Sequence, residues 1–190
     1  MVHELERTGA RHIELPLHSK NPYVMRRNIA RLKELIAAEG VDLLHARSRA
    51  PAHSAIAAAR QSNIRFVTTF HATYNFSTPP KRWYNSIMAK GERVIAISNA
   101  LKEHITGNYD VNPGRIKVIH RGIDLERFDP LKVSAERVIQ LSRQWRLSDG
   151  VPVVLLPGRL TGWKGQSILI EALARLGHKQ IRCLLVGSDQ

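Results

Sequence analysis

At 190 residues, 43% hydrophobic and 24% charged, the chain has the composition of a folded globular protein, and its composition excludes an intrinsically disordered one. No apolar run approaches the ~18 residues of a membrane-spanning helix, and the polar start from Met1 to Arg11 does not read as a signal peptide, so a cytoplasmic protein is expected. The formal charge of +13 invites three readings, nucleic acid, an anionic membrane surface or a phosphorylated substrate, beside the default of a solvated basic surface for most of these cations.

Read in order, Glu4 to Thr8 looks like the tail of a helix closed by Gly9, and Ile13 to Leu17 like a strand. Asn21-Pro22 then sets a capping side chain before a proline at the first helical position. Val24, Ile29, Leu32, Leu35 and Ile36 run down one helical face to Gly40. A strand is expected over 41–46. The loop Arg47-Ser48-Arg49-Ala50-Pro51 leads into an alanine-rich helix that ends near Ser62, and the β-branched and aromatic run from Ile64 to Phe70 makes the next strand. The rhythm is βαβα.

A polar and aromatic loop, His71 to Pro80, follows that strand. A helix from Lys81 to Lys90 stops at Gly91, a strand runs from Val94 to Ile97, and Ser98 caps the helix that carries Leu101 and Ile105. Loops at the carboxyl ends of parallel strands are where open α/β sheets bind ligands, which singles out His71 by position rather than by residue type. Pro113 and Gly114 break the helix before a strand at Arg115 to Ile119. Ser134 to Trp145 then forms a helix with Ala135, Val138, Leu141 and Trp145 on one face.

The last stretch has the clearest pattern. Val153 to Leu156 is too short for a helix and is stopped by Pro157 and Gly158, so it reads as a strand buried on both faces. The loop Gly158 to Gly165 precedes a helix marked by Ile168, Leu169, Ala172, Leu173 and Leu176 and closed by Gly177. A strand from Ile181 to Val186 completes a βαβ unit. Arg159, Thr161, Lys164 and Gly165 therefore fall at a strand's carboxyl end and a helix's amino end, where free N–H groups and the helix dipole favour anions. Spacing alone leaves two readings open, a diphosphate site or ordinary surface charge, because neither G-x-G-x-x-G nor G-x-x-x-x-G-K-[ST] is present.

At these residues the chain resembles glycosyltransferase family 4, retaining enzymes of the GT-B fold. PGRLTGWKGQSILIEAL is similar to that family's G-R-L-x-x-x-K-G-x-x-x-L-I-E-A segment, VTTFHATYNFSTPP followed by VIAISNA to the second half of its amino-terminal domain, and HRGIDLERFDP to its N-G-I-D-x-x-x-F-x-P passage. The resemblance implies Rossmann-like parallel sheets: an amino-terminal domain over 1–122 lacking its start, a linker and helix over 123–150, and the first βαβ of the donor-binding domain over 151–190. It implies that Arg159, Lys164 and Gly165 bind the diphosphate of a nucleotide-sugar donor, and that His71 faces the donor sugar near the reacting carbon. Arg47, Arg49 and Tyr74 are candidates for contact with an anionic acceptor, a role that simple surface charge rivals for the arginines. His120-Arg121 stands where Pro-Asn is usual, which leaves any contact of that Asn open.

No metal or other cofactor is implied, the nucleotide-sugar being a substrate, and no His, Cys, Asp or Glu spacing suggests a metal site. A glycan or lipid-linked acceptor, such as a lipopolysaccharide or surface polysaccharide, is implied only by the resemblance and the basic surface. The family extends further at both ends, so a truncated chain that binds donor poorly by itself is expected. The competing readings are a non-catalytic basic nucleotide- or nucleic-acid-binding module and an inert remnant with vestigial sites. Dispersed cations with little aromatic interleaving argue against a specific nucleic-acid partner, while a peripheral contact with anionic membrane stays open. Cys183, inside an apolar strand, reads as a small core residue. The Asn75-Phe76-Ser77 glycosylation pattern carries no weight without export.

Overall fold

A computed structural model of the chain describes residues 2–74, 77–177 and 180–188; Asn75 and Phe76, within the aromatic loop and the glycosylation pattern, lie outside the described residues. The chain divides into two compact units, Met1–Gly122 and Ile123–Gln190.

In the first unit, helix α1 (Val2–Arg7) is exposed and ends before Gly9, whose φ of 81° is the left-handed conformation that a glycine adopts without a Cβ clash. Helix α2 (Pro22–Glu39) starts as the sequence requires: Asn21 Oδ1 accepts from the Tyr23 N–H at 2.9 Å, Pro22 fills the first turn, and Gly40 closes the helix at φ 61°. Four short strands follow, β1 (Leu43–Ala46), β2 (Arg65–Phe70), β3 (Arg93–Ala96) and β4 (Ile116–Val118), joined by helices α3 (Arg49–Gln61), α4 (Pro79–Ser86) and α5 (Asn99–Asn108). The strands lie in the order β1-β2-β3-β4 and every pair is parallel. All four carboxyl ends therefore face one edge of the sheet.

The core sits between this sheet and its helices. Phe70, Met88, Val94 and Ile105 are fully buried, and each such apolar side chain contributes about 2 kcal/mol over its exposed state. Ala52, Ala55, Ala58 and Ala59 give α3 a smooth buried face, which lets it pack closely on β1, β2 and α2. Thr68, buried in the same layer, donates its hydroxyl to the Met88 carbonyl at 2.5 Å, so its polar atom costs little.

Three expectations are corrected here. Ile13 to Leu17 forms no strand: Pro16 lacks an N–H, no neighbouring strand pairs with the segment, and it is anchored instead by Asn28 Nδ2 donating to the Pro16 carbonyl at 3.1 Å. Arg49, Ala50 and Pro51 belong to α3 rather than to a loop, since proline is tolerated in a helix's first turn. The helix expected over Lys81 to Lys90 begins earlier, at Pro79, and tightens into a 3-10 turn from Ile87 to Lys90.

The second unit contains helix α6 (Ala135–Gln144), strand β5 (Val153–Pro157), helix α7 (Gln166–Leu176) and strand β6 (Arg182–Val186). Ser134 caps α6 by accepting from the Arg137 N–H, β5 and β6 pair in parallel, and Gly177 closes α7 at φ 66°. Here burial departs from expectation. β5 alternates instead of being buried on both faces: Val153 and Leu155 are 44% and 48% exposed, and they open onto a groove shared with Val138, Leu141 and Trp145 of α6. Ile168 and Leu176 of α7 are exposed, and Cys183 is half-buried rather than a core residue. The reason is count: the two strands and two α-helices among this unit's described residues cannot close a layer over every apolar face.

Candidate functional site

Parallel pairing brings three loops of the first unit to one place. Arg47 follows β1, His71 follows β2, and Arg121 follows β4; Arg47 Nε donates to His71 Nε2 at 3.2 Å and an Arg121 guanidinium nitrogen lies 2.9 Å from His71 Nδ1. A neutral imidazole has one lone-pair nitrogen and one N–H, whereas a guanidinium only donates. One of the two arginines therefore has no acceptor in this ring and presents its charge to whatever enters beside His71. Burial first, then the charges of Arg47, Arg121 and His45, lowers the His71 pKa and holds the ring neutral near pH 7. His45, whose pKa is lowered mainly by burial and then by Arg47, shares a 2.7 Å hydrogen bond with Thr69 Oγ1 just behind.

Arg49 and Tyr74 meet as well. The guanidinium lies 4.5 Å from the Tyr74 ring centre and donates to Asn85 Oδ1 at 2.8 Å, while the Tyr74 ring packs tilted against Phe70, ring centres 5.2 Å apart. Burial raises the Tyr74 pKa against the opposing charge of Arg49, so its hydroxyl stays protonated. Ser98, in contrast, is occupied by structure: its Oγ accepts from the Leu101 N–H at 3.2 Å as the N-cap of α5.

In the second unit the loop between β5 and α7 gathers its two cations on one indole. Lys164 Nζ stands 4.0 Å and the Arg159 guanidinium 5.9 Å from the Trp163 ring centre. Gly165, at φ 83°, turns the chain into α7, which has no side-chain cap and no acid in its first turn. Thr161 Oγ1 is buried there without a hydrogen-bond partner among the described residues. The sequence reading missed Gln166, buried and donating from Nε2 to the Arg159 carbonyl at 2.8 Å, which fixes the loop. It noted Arg121 only as a departure from a pattern, because the contact with His71 spans fifty positions. No group of three or more His, Cys, Asp or Glu side chains is gathered for a metal ion among the described residues.

The family model described as Glycosyltransferase Family 4 matches residues 2–127, about two thirds of the chain. The chain belongs to glycosyltransferase family 4. Among solved structures, this family 4 chain is similar to a glycosyltransferase from Rickettsia africae ESF-5, with 41% identity, a TM-score of 0.82, and coverage of 98% of this chain and 49% of that one. It is also similar to Anabaena Alr3699/HepE, solved in complex with UDP-glucose, at 25% identity and a TM-score of 0.70 over 84% of this chain and 43% of that one. Of the curated relatives, the GPI3 subunit of the Saccharomyces cerevisiae (strain YJM789) phosphatidylinositol N-acetylglucosaminyltransferase is 25% identical over 82% of this chain and 35% of its own length. D-inositol 3-phosphate glycosyltransferase of Salinispora arenicola is 33% identical over 49% of this chain and 21% of its own length. The family 4 chain thus spans about half or less of the proteins it matches. Its α/β architecture of parallel sheets is that of the GT-B glycosyltransferases.

Proposed function

We propose that this family 4 chain serves the transfer of a sugar, with retention, from a nucleoside-diphosphate sugar to a glycan or lipid-linked acceptor. The observation that carries the reading is the convergence of Arg159 and Lys164 on Trp163 at the start of α7. In the reaction the bond between the anomeric carbon and the β-phosphate oxygen breaks, negative charge grows on the departing diphosphate, and an acceptor hydroxyl oxygen bonds to the anomeric carbon while its proton passes to the departing β-phosphate oxygen. Two fixed cations and the N–H groups after Gly165 stabilise that charge without a metal. Losing one such contact costs roughly a hundredfold in rate. His71, neutral between Arg47 and Arg121, orients the donor sugar. Lipopolysaccharide or surface-polysaccharide synthesis at the cytoplasmic membrane face is the setting we assign to it. The basic surface supports such a contact, and the names of two relatives support an acceptor that bears a phosphorylated inositol.

Calorimetric titration with UDP-glucose, the ligand of the Anabaena structure, tests this. Replacement of Arg159 and Lys164 by Ala is expected to weaken UDP-glucose binding about tenfold or more, as loss of charge-assisted hydrogen bonds does, and to leave single-stranded DNA binding almost unchanged. Equal loss of both would instead favour a non-catalytic basic module, whose affinity would fall steeply with salt.

A further inference from the structure

Trp163 is not a packing residue. Its side chain is 70% exposed on the loop before α7, and an indole left mostly in water adds little to a core. Two cations stand over it instead, the Lys164 ammonium 4.0 Å and the Arg159 guanidinium 5.9 Å from the ring centre.

The backbone beneath these cations is fixed by other means. The Gly158 N–H donates to the Val186 carbonyl at 2.8 Å and the Leu160 N–H to the Ser188 carbonyl at 3.1 Å, which ties the residues on either side of Arg159 to the end of β6 and just beyond. Gln166 holds the Arg159 carbonyl, and the Lys164 N–H donates to the Thr161 carbonyl at 3.0 Å. The Lys164 stem crosses Gly158, where a Cβ would already stand 3.8 Å from Lys164 Cδ. These contacts leave open where the two long side chains end. Both are exposed, and an exposed lysine or arginine samples many rotamers that a bound anion must exclude. An aromatic face removes that freedom in a particular way: its quadrupole attracts a cation, yet the ring carries no net charge. A glutamate in the same place would hold both cations more firmly, but it would cancel their charge and repel an incoming phosphate oxygen. The indole tethers them and leaves their field intact.

We propose that Trp163 is a positioning residue for a diphosphate: its indole places the Arg159 guanidinium and the Lys164 ammonium at the start of α7 before the ligand arrives, without neutralising either. It acts through the two cations and not on the reacting bond. The inference deepens the donor reading and rests on it for the identity of the ligand.

The test titrates inorganic pyrophosphate, and separately UDP-glucose, into the whole chain by calorimetry, with Trp163→Phe, Trp163→Leu and Trp163→Glu beside the unaltered protein. Trp83→Leu is the control, since Trp83 on α4 is 69% exposed. Phenylalanine keeps an aromatic face, so Trp163→Phe should hold both affinities within about threefold. Leucine keeps bulk without that face, and Trp163→Leu should lose about fivefold or more, with Trp163→Glu weaker still although it grips the cations better. Urea unfolding midpoints should be the same across the series, because only an exposed side chain changes. Pyrophosphate binding as tight in Trp163→Leu as in the unaltered chain, a loss that Trp163→Phe does not rescue, tighter binding in Trp163→Glu than in Trp163→Leu, an equal loss in Trp83→Leu, or no pyrophosphate binding at all overturns the proposal. If UDP-glucose binding depends on Arg159 and Lys164 but not on the residue at position 163, the donor reading stands without the positioning role. If pyrophosphate follows the expected order and UDP-glucose does not bind, the positioning role stands and the donor reading fails.

Discussion

His71 lies between two guanidinium groups, and acid titration should expose the cost. Burial, assisted by Arg47 and Arg121, lowers its pKa, and burial assisted by Arg47 lowers that of His45. A histidine held neutral in the fold binds its proton more readily once unfolded. Stability is therefore full above about pH 6.5, the unfolded value, and declines as pH falls below it toward the lowered folded values. Urea unfolding at a series of pH values should show this acid-side loss. Arg47→Gln should raise both histidine pKa values in an NMR titration and flatten the loss. Unchanged values would mean that Arg47 does not face the rings in solution.

Two glycines separate conformational from steric requirement among the elements. Gly40 sits at φ 61° with nothing within 4 Å of a built Cβ, so Gly40→Ala should cost about 1 kcal/mol, the price of a left-handed alanine. A Cβ on Gly91 would stand 2.7 Å from the Arg93 carbonyl oxygen and 3.0 Å from the Thr68 nitrogen. Both are sheet backbone and cannot step aside. Gly91→Ala should therefore cost more, about 1–3 kcal/mol by denaturant unfolding, as overpacking does. At the start of α5, Ser98→Ala should lose about 1 kcal/mol while Ser98→Asp retains most of it, since either side chain can cap. Full stability in Ser98→Ala would remove the capping role. The starts and ends of elements were legible in the sequence because a cap acts within three or four residues: Asn21, Ser98, Ser134 and Gly177 each do what their residue type requires. Ile13 to Leu17 was not legible as irregular chain, because a strand exists only where another strand pairs with it.

The whole molecule is unevenly held. The first unit has a contiguous core of fully buried side chains, whereas the second leaves Val153, Leu155, Ile168 and Leu176 exposed. Amide exchange should follow that difference, with β2 and β3 protected longest and β5 and β6 exchanging orders of magnitude sooner, as local opening scales with buried contacts. Equal protection in both sheets would show that the apolar faces of the second unit are covered in solution. The candidate site divides along the same line. The loop of Arg159, Lys164 and Gly165 is one contiguous stretch between a strand and a helix, and its residues stand out from the order of amino acids alone. Arg121 beside His71, Asn85 beneath Arg49 and Lys20 over Tyr84 come from separate loops and helices. By itself the sequence determined the βαβ rhythm, the caps and the basic loop that precedes α7, since each follows from the chemistry of neighbouring residues. Only the tertiary structure decided which cations come together and which apolar faces stay open, because parallel pairing aligns strand ends that lie twenty to seventy positions apart and no local pattern records that register.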